Sequence, residues 1–557
     1  MPLSRLTGAG AHLWRVWAEH AEDDPEAEAI VHWVAGEEPY RWRRAALLEA
    51  ARQCGARLVE AGVGRGDVCA LIVRHHREFY PLYMGAVSIG ALPAVLAYPN
   101  PRLHPEKFRQ GLIGMSRKSG LDWIVTEADL EPVVGELAMQ SGGSIRGVIA
   151  DSVWTSLCVG AAGPGGAKRD SAAGSAAATQ NQLDPSQPAL LQHSSGTTGL
   201  QKGVMLSHAA VLGHVARYGE AIALSESDKV VSWLPLYHDM GLIAAFHLPL
   251  ASGIPLVQLD PFEWIAAPTI LLDAVSAERG TLTWLPNFAF NVLTDRVIEE
   301  ELDELRLDSL RMVINCSEAV RAESHERFIA RFAPRGLDPN AVAACYAMAE
   351  TTFAVSQTPP GRPPRVLEHG GRRRVSSGIP VAGCEVRVES GQLLVRSASL
   401  FSGYRNDPEK TAAVLGDDGW FRTGDVGFID GGEVFVIGRQ KDVIIVAGKN
   451  LYPEDIEDAV SSVPGILPGR VVAFANDDAE LGTERVEVIA ETAVDQPTEK
   501  ARLERAVVEA AMAVDITIAR VHLVPPRWLV KSSAGKPSRA ENRRRLIAEQ
   551  IGAPQEA

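Results

Sequence analysis

Between residues 40 and 130 the apolar positions follow two alternating patterns. Arg43 to Ala61 is amphipathic at helical spacing, and Asp67 to Val73 is almost continuously apolar. Tyr80 to Ile89 reads as a second helix, ahead of the apolar Ala91–Leu96. A short unbroken apolar run is a buried strand, and strand–helix–strand alternation predicts a parallel sheet with helices on both faces. Another α/β unit follows, with strand candidates at Lys229–Trp233, Ile254–Gln258 and Arg311–Asn315. From Gly378 to Phe435 short strands and tight turns predict a smaller β subdomain. The Gly/Ala/Ser-rich stretch from Gly160 to Ala178 has few side chains able to pack, and reads as a mobile surface loop rather than a domain break.

The break falls at Arg439 to Lys441. Beyond it the chain has its own repertoire: a helix at Glu454–Val463, strands at Arg470–Ala475 and Arg485–Ala490, a helix at Ala501–Val514 and a strand at Ala519–Val524. The expected fold is therefore α/β. A large N-terminal domain, residues 1–438, has parallel sheets flanked by helices plus the β subdomain. A break at 439–441 leads to a small, compact α+β C-terminal domain, residues 442–557.

At 557 residues the chain is too long for one core, which agrees with that division. Its 46% hydrophobic and 22% charged residues are ordinary globular composition. A net charge of −15 with no basic stripe argues against nucleic acid as a partner, and Arg372-Arg373-Arg374 reads as a solvated loop. No long apolar segment or signal-peptide pattern points to a membrane or to export. The six cysteines are scattered without metal-ligand spacing, as small buried hydrophobes in a reducing cytoplasm would be.

Chemistry enters with His193-Ser-Ser-Gly-Thr-Thr-Gly-Leu-Gln-Lys-Gly203, directly after the apolar Pro188–Leu191. Hydroxyl side chains and glycines leave a row of donors that ends in one lysine, a loop suited to a polyphosphate; the bland alternative is a flexible Ser/Gly turn. It is not a Walker loop, because Lys202 is followed by Gly203 and Val204. Downstream come Trp233-Leu-Pro-Leu-Tyr-His-Asp-Met-Gly-Leu242, Tyr346-Ala-Met-Ala-Glu-Thr-Thr352 and Gly419-Trp-Phe-Arg-Thr-Gly-Asp425. Gly438-Arg-Gln-Lys-Asp442, Gly448-Lys-Asn450 and Ser532-Ser-Ala-Gly-Lys536 complete the set. In content, order and spacing it resembles the superfamily of acyl-CoA synthetases, nonribosomal-peptide adenylation domains and luciferases, from about Trp14 to Arg545.

The resemblance implies a two-step reaction. A carboxylate attacks the α-phosphate of ATP to give an acyl-adenylate and pyrophosphate, and a thiol then displaces AMP. It makes 439–441 a hinge and the C-terminal domain mobile. It assigns Ser195, Thr197, Thr198, Gly199 and Lys202 to the phosphates, Tyr346 to adenine, Ala347 to the point where backbone nears the substrate carboxylate or α-phosphate, and Glu350 to Mg2+. Asp425 and Arg439 fall to the ribose, His238 to a gate beside the substrate carboxylate, and Lys441 to the catalytic set at the hinge. Lys536 bridges the substrate carboxylate and the α-phosphate. Gly448 matches a glycine lining a pantetheine tunnel, where coenzyme A would enter. Taken singly, Asp425 is equally a turn former, Lys536 a loop lysine, His238 a structural histidine and Gly448 a hairpin glycine; in register with the phosphate loop they read as functional.

Within the superfamily the words around His238 and Glu350 look most like fatty-acyl-AMP ligases, which load carrier proteins. Those carry an insertion before the segment matching Val375–Pro380; here only Pro359 to Arg374 stands there, so the restraint on domain rotation should be missing. The implied function is a coenzyme A ligase on that scaffold, near the ligases of actinobacterial secondary metabolism that activate diterpenoid acids. Trp233, Phe246, Trp284, Phe288 and Phe290 lie in segments that line the acyl pocket of relatives and imply a bulky apolar acid, although an aromatic stripe is also ordinary core. A carrier-protein ligase and a nucleotide-binding pseudoenzyme are the alternatives, and a homodimer is left open. Four departures touch adenylation: Gln201, Ala347, Val530 and Pro537 replace the usual Pro, Gly, Pro and Ile. They imply either a weakened adenylation step, with adenylate supplied by a partner enzyme, or drift around a bulky substrate.

Overall fold

A computed structural model describes residues 3–99, 105–140, 144–150, 182–193, 202–446, 449–478, 483–513, 516–531 and 537–552. The apolar runs become buried parallel strands, as their patterning predicts. β1 (Glu28–His32) and β2 (Tyr40–Arg43) form one edge of a nine-stranded sheet. β3 (Val68–Ile72), β4 (Leu92–Val95), β5 (Trp123–Thr126) and β6 (Gly147–Ile149) form a separate four-stranded sheet, parallel throughout. The helices Arg44–Glu60 and Phe79–Ser88 match the two expected helical segments to within a residue or two, the second of them buried at every position.

β7 (Pro188–His193) and β8 (Gly203–Ser207) are antiparallel in a third, three-stranded sheet. The large sheet continues with β9 (Val230–Ser232), β10 (Leu256–Gln258), β11 (Leu282–Leu285), β12 (Met312–Asn315) and β13 (Val342–Ala347), all parallel to β1. Its other edge turns antiparallel through β14 (Ala354–Gln357). Parallel strands need both faces covered, and β9 to β12 are buried along their whole length.

Here one expectation fails. Arg372-Arg373-Arg374 is not a solvated loop: β15 (Val366–His369) and β16 (Arg372–Val375) form an antiparallel hairpin. Arg374 is 9% exposed, and its two terminal nitrogens reach the two oxygens of Asp455 at 2.8 and 2.7 Å. Arg372 Nε stands 3.3 Å from the same carboxylate, and Arg321 Nη1 lies 2.9 Å from Asp458. Alternation explains the error: in a strand, neighbouring side chains face opposite ways, so Arg373 pairs with Glu323 and Glu326 in solvent while Arg372 and Arg374 turn inward.

β17 (Ile379–Pro380) closes the large sheet. The β subdomain follows as β18 (Cys384–Glu389), β19 (Gln392–Ser397), β21 (Phe421–Asp430) and β22 (Glu433–Arg439), while β20 (Gly403–Tyr404) leaves it to pair with β8. After a short turn at Gln440–Asp442, β23 (Ile444–Val446) and β24 (Lys449–Leu451) pair with each other. The helix Pro453–Ser461 then packs with β25 (Ile466–Asp478), β26 (Thr483–Thr492), the helix Pro497–Met512 and β27 (Ile518–Val524) around a hydrophobic cluster of their own. The five described cysteines are free thiols, four of them buried. Among the described residues no helix is long and apolar enough to cross a membrane. The Gly160–Ala178 stretch and Cys158 lie outside the described residues.

Candidate active site

In an open α/β sheet the loops at the carboxyl ends of parallel strands can converge without breaking the ladder. β9 leaves its sheet into Trp233–Asp239, β12 into Cys316–Glu318 and β13 into the turn that holds Glu350. Lys202 comes from the other sheet, immediately before β8, where His193 pairs with Gly203.

Two linked groups form there. Lys202 Nζ donates to the Tyr404 hydroxyl at 3.2 Å and lies 4.5 Å from the centre of its ring. That hydroxyl donates in turn to Glu350 Oε1 at 2.7 Å. Burial lowers the pKa of Lys202, and the charge of Glu350 works against the shift. In the second group the Tyr346 hydroxyl donates to Asp425 Oδ2 at 2.6 Å, while Arg439 Nε stands 3.1 Å from Oδ1. Asp425 and Arg439 are direct cross-strand partners on β21 and β22, so the ladder itself sets their pairing. Burial and the Asp425 charge raise the pKa of Tyr346, which stays a phenol; Asp425 raises that of Arg439. Lys441, exposed on the turn after β22, has its pKa lowered by burial and lies within the field of Asp442, Arg439 and Asp425. Lys202 feels Glu350, Lys441 and Arg439, so the two groups share one electrostatic site.

His238 sits in the turn after β9. Its N–H donates to the Pro235 carbonyl at 3.2 Å, and its own carbonyl accepts from Leu242 N–H at 2.7 Å. A π-helix, Met240–His247, follows; such wide turns are uncommon and concentrate at functional sites. Gly241 is needed there, since a Cβ would fall 2.3 Å from the Pro235 oxygen. Gln192 Nε2 donates to the Tyr237 carbonyl at 2.8 Å and ties this turn to β7. A small, mainly apolar cavity of about 60 Å3 adjoins Tyr237, between Phe79, Tyr80, Leu96, Leu236 and Phe262. Beside Lys202 a larger cavity of about 260 Å3 is lined by Arg117, Lys118, Arg405 and Lys410, with Asp407.

Residues 17–405 match the protein family described as AMP-binding enzyme. The chain belongs to that family. It is 30% identical over 528 residues to a Caulobacter vibrioides protein named "Putative acyl-CoA synthetase", covering 89% of this chain and 88% of that one. It is 28% identical over 527 residues to the long-chain-fatty-acid–AMP ligase FadD26 of Mycobacterium marinum, covering 85% and 86%. A solved chain from a study of fatty acyl-adenylate ligases from E. coli and L. pneumophila superposes with a TM-score of 0.84 at 24% identity, covering 97% of this chain and 98% of that one, and shows the shared fold.

This AMP-binding enzyme thus brings together Lys202, Tyr346, Glu350, Asp425, Arg439 and Lys441. Ala347 is half-buried beside them, at a bulge where β13 meets β14. Ser195, Thr197, Thr198, Gly199, Gln201, Gly448 and Lys536 lie outside the described residues. The stem of the Lys536 loop is described: Lys531 and Pro537 form a bridge, and Val530 N–H donates to Asn542 Oδ1 at 2.7 Å. A proline at 530 would lack that donor, so this departure is built into the local structure.

One expectation changes, and one residue was missed. Phe246, Trp284 and Phe290 are fully buried core, with Trp284 Nε1 donating to the Tyr218 hydroxyl, and Trp233 stacks on Trp264 at 3.7 Å. Of the five aromatics expected in the acyl pocket, none lines the cavity beside Tyr237. Tyr404 is absent from the sequence expectations, because a tyrosine after a glycine carries no chemical signature. Only the pairing of β20 with β8 sets it beside Lys202.

Proposed function

We propose that this AMP-binding enzyme is an acyl-CoA ligase that joins a carboxylic acid to coenzyme A through an acyl-adenylate. The observation that carries the reading is the convergence of the Lys202–Tyr404–Glu350 and Tyr346–Asp425–Arg439 groups. In the first step a substrate carboxylate oxygen forms a bond to the α-phosphorus of ATP, and the bond to the bridging oxygen breaks toward pyrophosphate. Charge builds on the phosphate oxygens, where fixed cations act most strongly. Lys202 meets the outer phosphates, with the hydroxyls of Ser195, Thr197 and Thr198, while Asp425 receives the ribose hydroxyls beside Arg439. Glu350 fits magnesium: only its Oε1 is hydrogen bonded among the described residues, and a hard cation prefers carboxylate oxygen. Magnesium would supply charge neutralisation between the phosphates. The basic cavity beside Lys202 suits departing pyrophosphate. In the second step the thiol sulfur attacks the acyl carbon and AMP leaves.

Residues 442–557 would act as a lid, turning about 439–441 so that Lys536 serves the first step and Gly448 borders the thiol path in the second. Gly448 and the short β15–β16 hairpin favour coenzyme A as acceptor. The arginine clamp on Asp455 favours a carrier-protein acceptor instead, since it holds the lid in one pose. Two arms test the proposal with a panel of long-chain, aromatic and polycyclic acids: pyrophosphate exchange with acid and ATP, and thioester formation from synthetic acyl-adenylate. The second arm offers coenzyme A or a phosphopantetheine carrier. Activity in both arms with coenzyme A is expected. Transfer to the carrier alone would overturn the acceptor, activity in the second arm alone would mean that a partner enzyme supplies the adenylate, and silence in both would overturn the ligase reading.

A further inference from the structure

Tyr404 is held from three sides before its hydroxyl does anything. β20 pairs with β8 through Gly403–Met205 and Tyr404–Val204, and Arg405 N–H donates to the Gly203 carbonyl at 2.8 Å. Phe401 N–H donates to the carbonyl of Glu350 itself at 2.8 Å, and Tyr404 N–H to Thr411 Oγ1 at 2.9 Å. One five-residue segment is thus fastened both to the strand that follows Lys202 and to the turn that carries Glu350. Tyr404 is 4% exposed, and its ring packs against Phe401 at 4.9 Å.

The chemistry of this position is specific. Lys202 and Glu350 carry opposite charges across a shared site, yet among the described residues no ion pair joins them directly. The Tyr404 hydroxyl stands between, accepting from the ammonium and donating to the carboxylate. A phenol can do both at once; phenylalanine can do neither. Without the spacer the two charges would close on one another, and each would lose the orientation that a charged ligand needs.

We infer that Tyr404 is a positioning residue for polyphosphate binding, a spacer that keeps Lys202 and Glu350 apart and aimed at the outer phosphates of MgATP. The inference rests on the proposed ligase reading for the roles of those two residues, but its test does not need turnover. AMP lacks the outer phosphates, so the spacer should matter for MgATP and for magnesium pyrophosphate and not for AMP.

The experiment is calorimetric titration of wild-type protein, Tyr404→Phe and Tyr404→Ala with MgATP, magnesium pyrophosphate and AMP, beside both half-reaction assays. Tyr404→Phe keeps the ring and its packing. Loss of a charge-linked hydrogen-bond pair should weaken MgATP and magnesium pyrophosphate about tenfold, with AMP unchanged. It should also lower exchange through kcat and the ATP KM while leaving thioester formation from supplied adenylate intact. Tyr404→Ala should do the same more severely. Equal weakening of AMP and MgATP would mean a merely structural role and overturn the inference, as would no change in either. Inactivity of the wild type with every acid would strike the ligase reading, while the binding comparison would still decide on Tyr404.

Discussion

The grip of Arg374 on Asp455 joins the β15–β16 hairpin to the helix Pro453–Ser461, and removing it should loosen the C-terminal portion without unfolding it. Asp455 is 5% exposed and Arg374 10% exposed at the side chain, with Arg372 and Arg321 as further neighbours. Asp455→Ala would leave Arg374 without its carboxylate partner, with Asp458 as the acidic group remaining on Arg321. Truncating one partner of such a buried pair costs about 3–5 kcal/mol. Ile456 and Val460 of the same helix remain in their own hydrophobic cluster, so the loss falls on docking rather than on folding of the tail. The docked-to-undocked ratio should fall by roughly two to nearly four powers of ten. Trypsin reads this directly, because Lys441 is exposed in the intervening turn and cleavage follows the opened population when reclosing is fast. Asp455→Ala should be cut much faster there, with Asp455→Asn in between. Arg374→Lys should also loosen the contact, since an ammonium cannot match the two-pronged geometry. Arg374→Ala in the Asp455→Ala background should restore part of the protection by removing the stranded charge. Cleavage of Asp455→Ala at the wild-type rate would refute the reasoning.

Acid should destabilise the fold early. Burial presses His32 to about 2, His208, His214 and His247 to about 3, and His193 and His325 to about 4, against 6.5 ordinarily. Below 6.5 the unfolded chain therefore binds more protons than the folded one, and stability falls with pH by up to about 1.4 kcal/mol per histidine per pH unit. Thermal melts between about pH 7.5 and 5 check this, and a flat profile would contradict it. Gly241→Ala forces a methyl toward the Pro235 carbonyl and should displace the His238 turn, costing about 2 kcal/mol by chemical denaturation and about tenfold in adenylate formation. Ala347→Gly is expected to raise pyrophosphate exchange if the extra methyl crowds the nucleotide, and an unchanged rate would mark that departure as drift.

The sequence carried the parallel strands well, because β3, β9 and β12 are short, apolar and bounded by polar turns, and burial on both faces leaves no other solution for such runs. It carried Asp425 and Arg439 through their motifs, and the structure adds that they are cross-strand neighbours. What it did not carry were features made by pairing at a distance. Tyr404 gains its meaning from β20 crossing to β8, two hundred residues upstream in the chain. Arg374, on strand β16, gains its meaning from Asp455, which lies 81 residues downstream in the helix Pro453–Ser461. A run of three arginines does look solvated until strand alternation turns two of them inward. The aromatics misled for the opposite reason: Trp284 and Phe290 satisfy the same hydrophobic pattern in a core as in a pocket, and only packing tells the two apart.

The lysine of the phosphate loop and the turn bearing His238 spring from different sheets, the first beside β8 in the three-stranded sheet and the second from β9 in the nine-stranded one. Under the proposed function, nucleotide grip and acid choice are consequently carried by separate sheets. Exchanges in the loops after β9 to β12 would then leave the β20–β8–β7 ladder that carries Lys202 undisturbed.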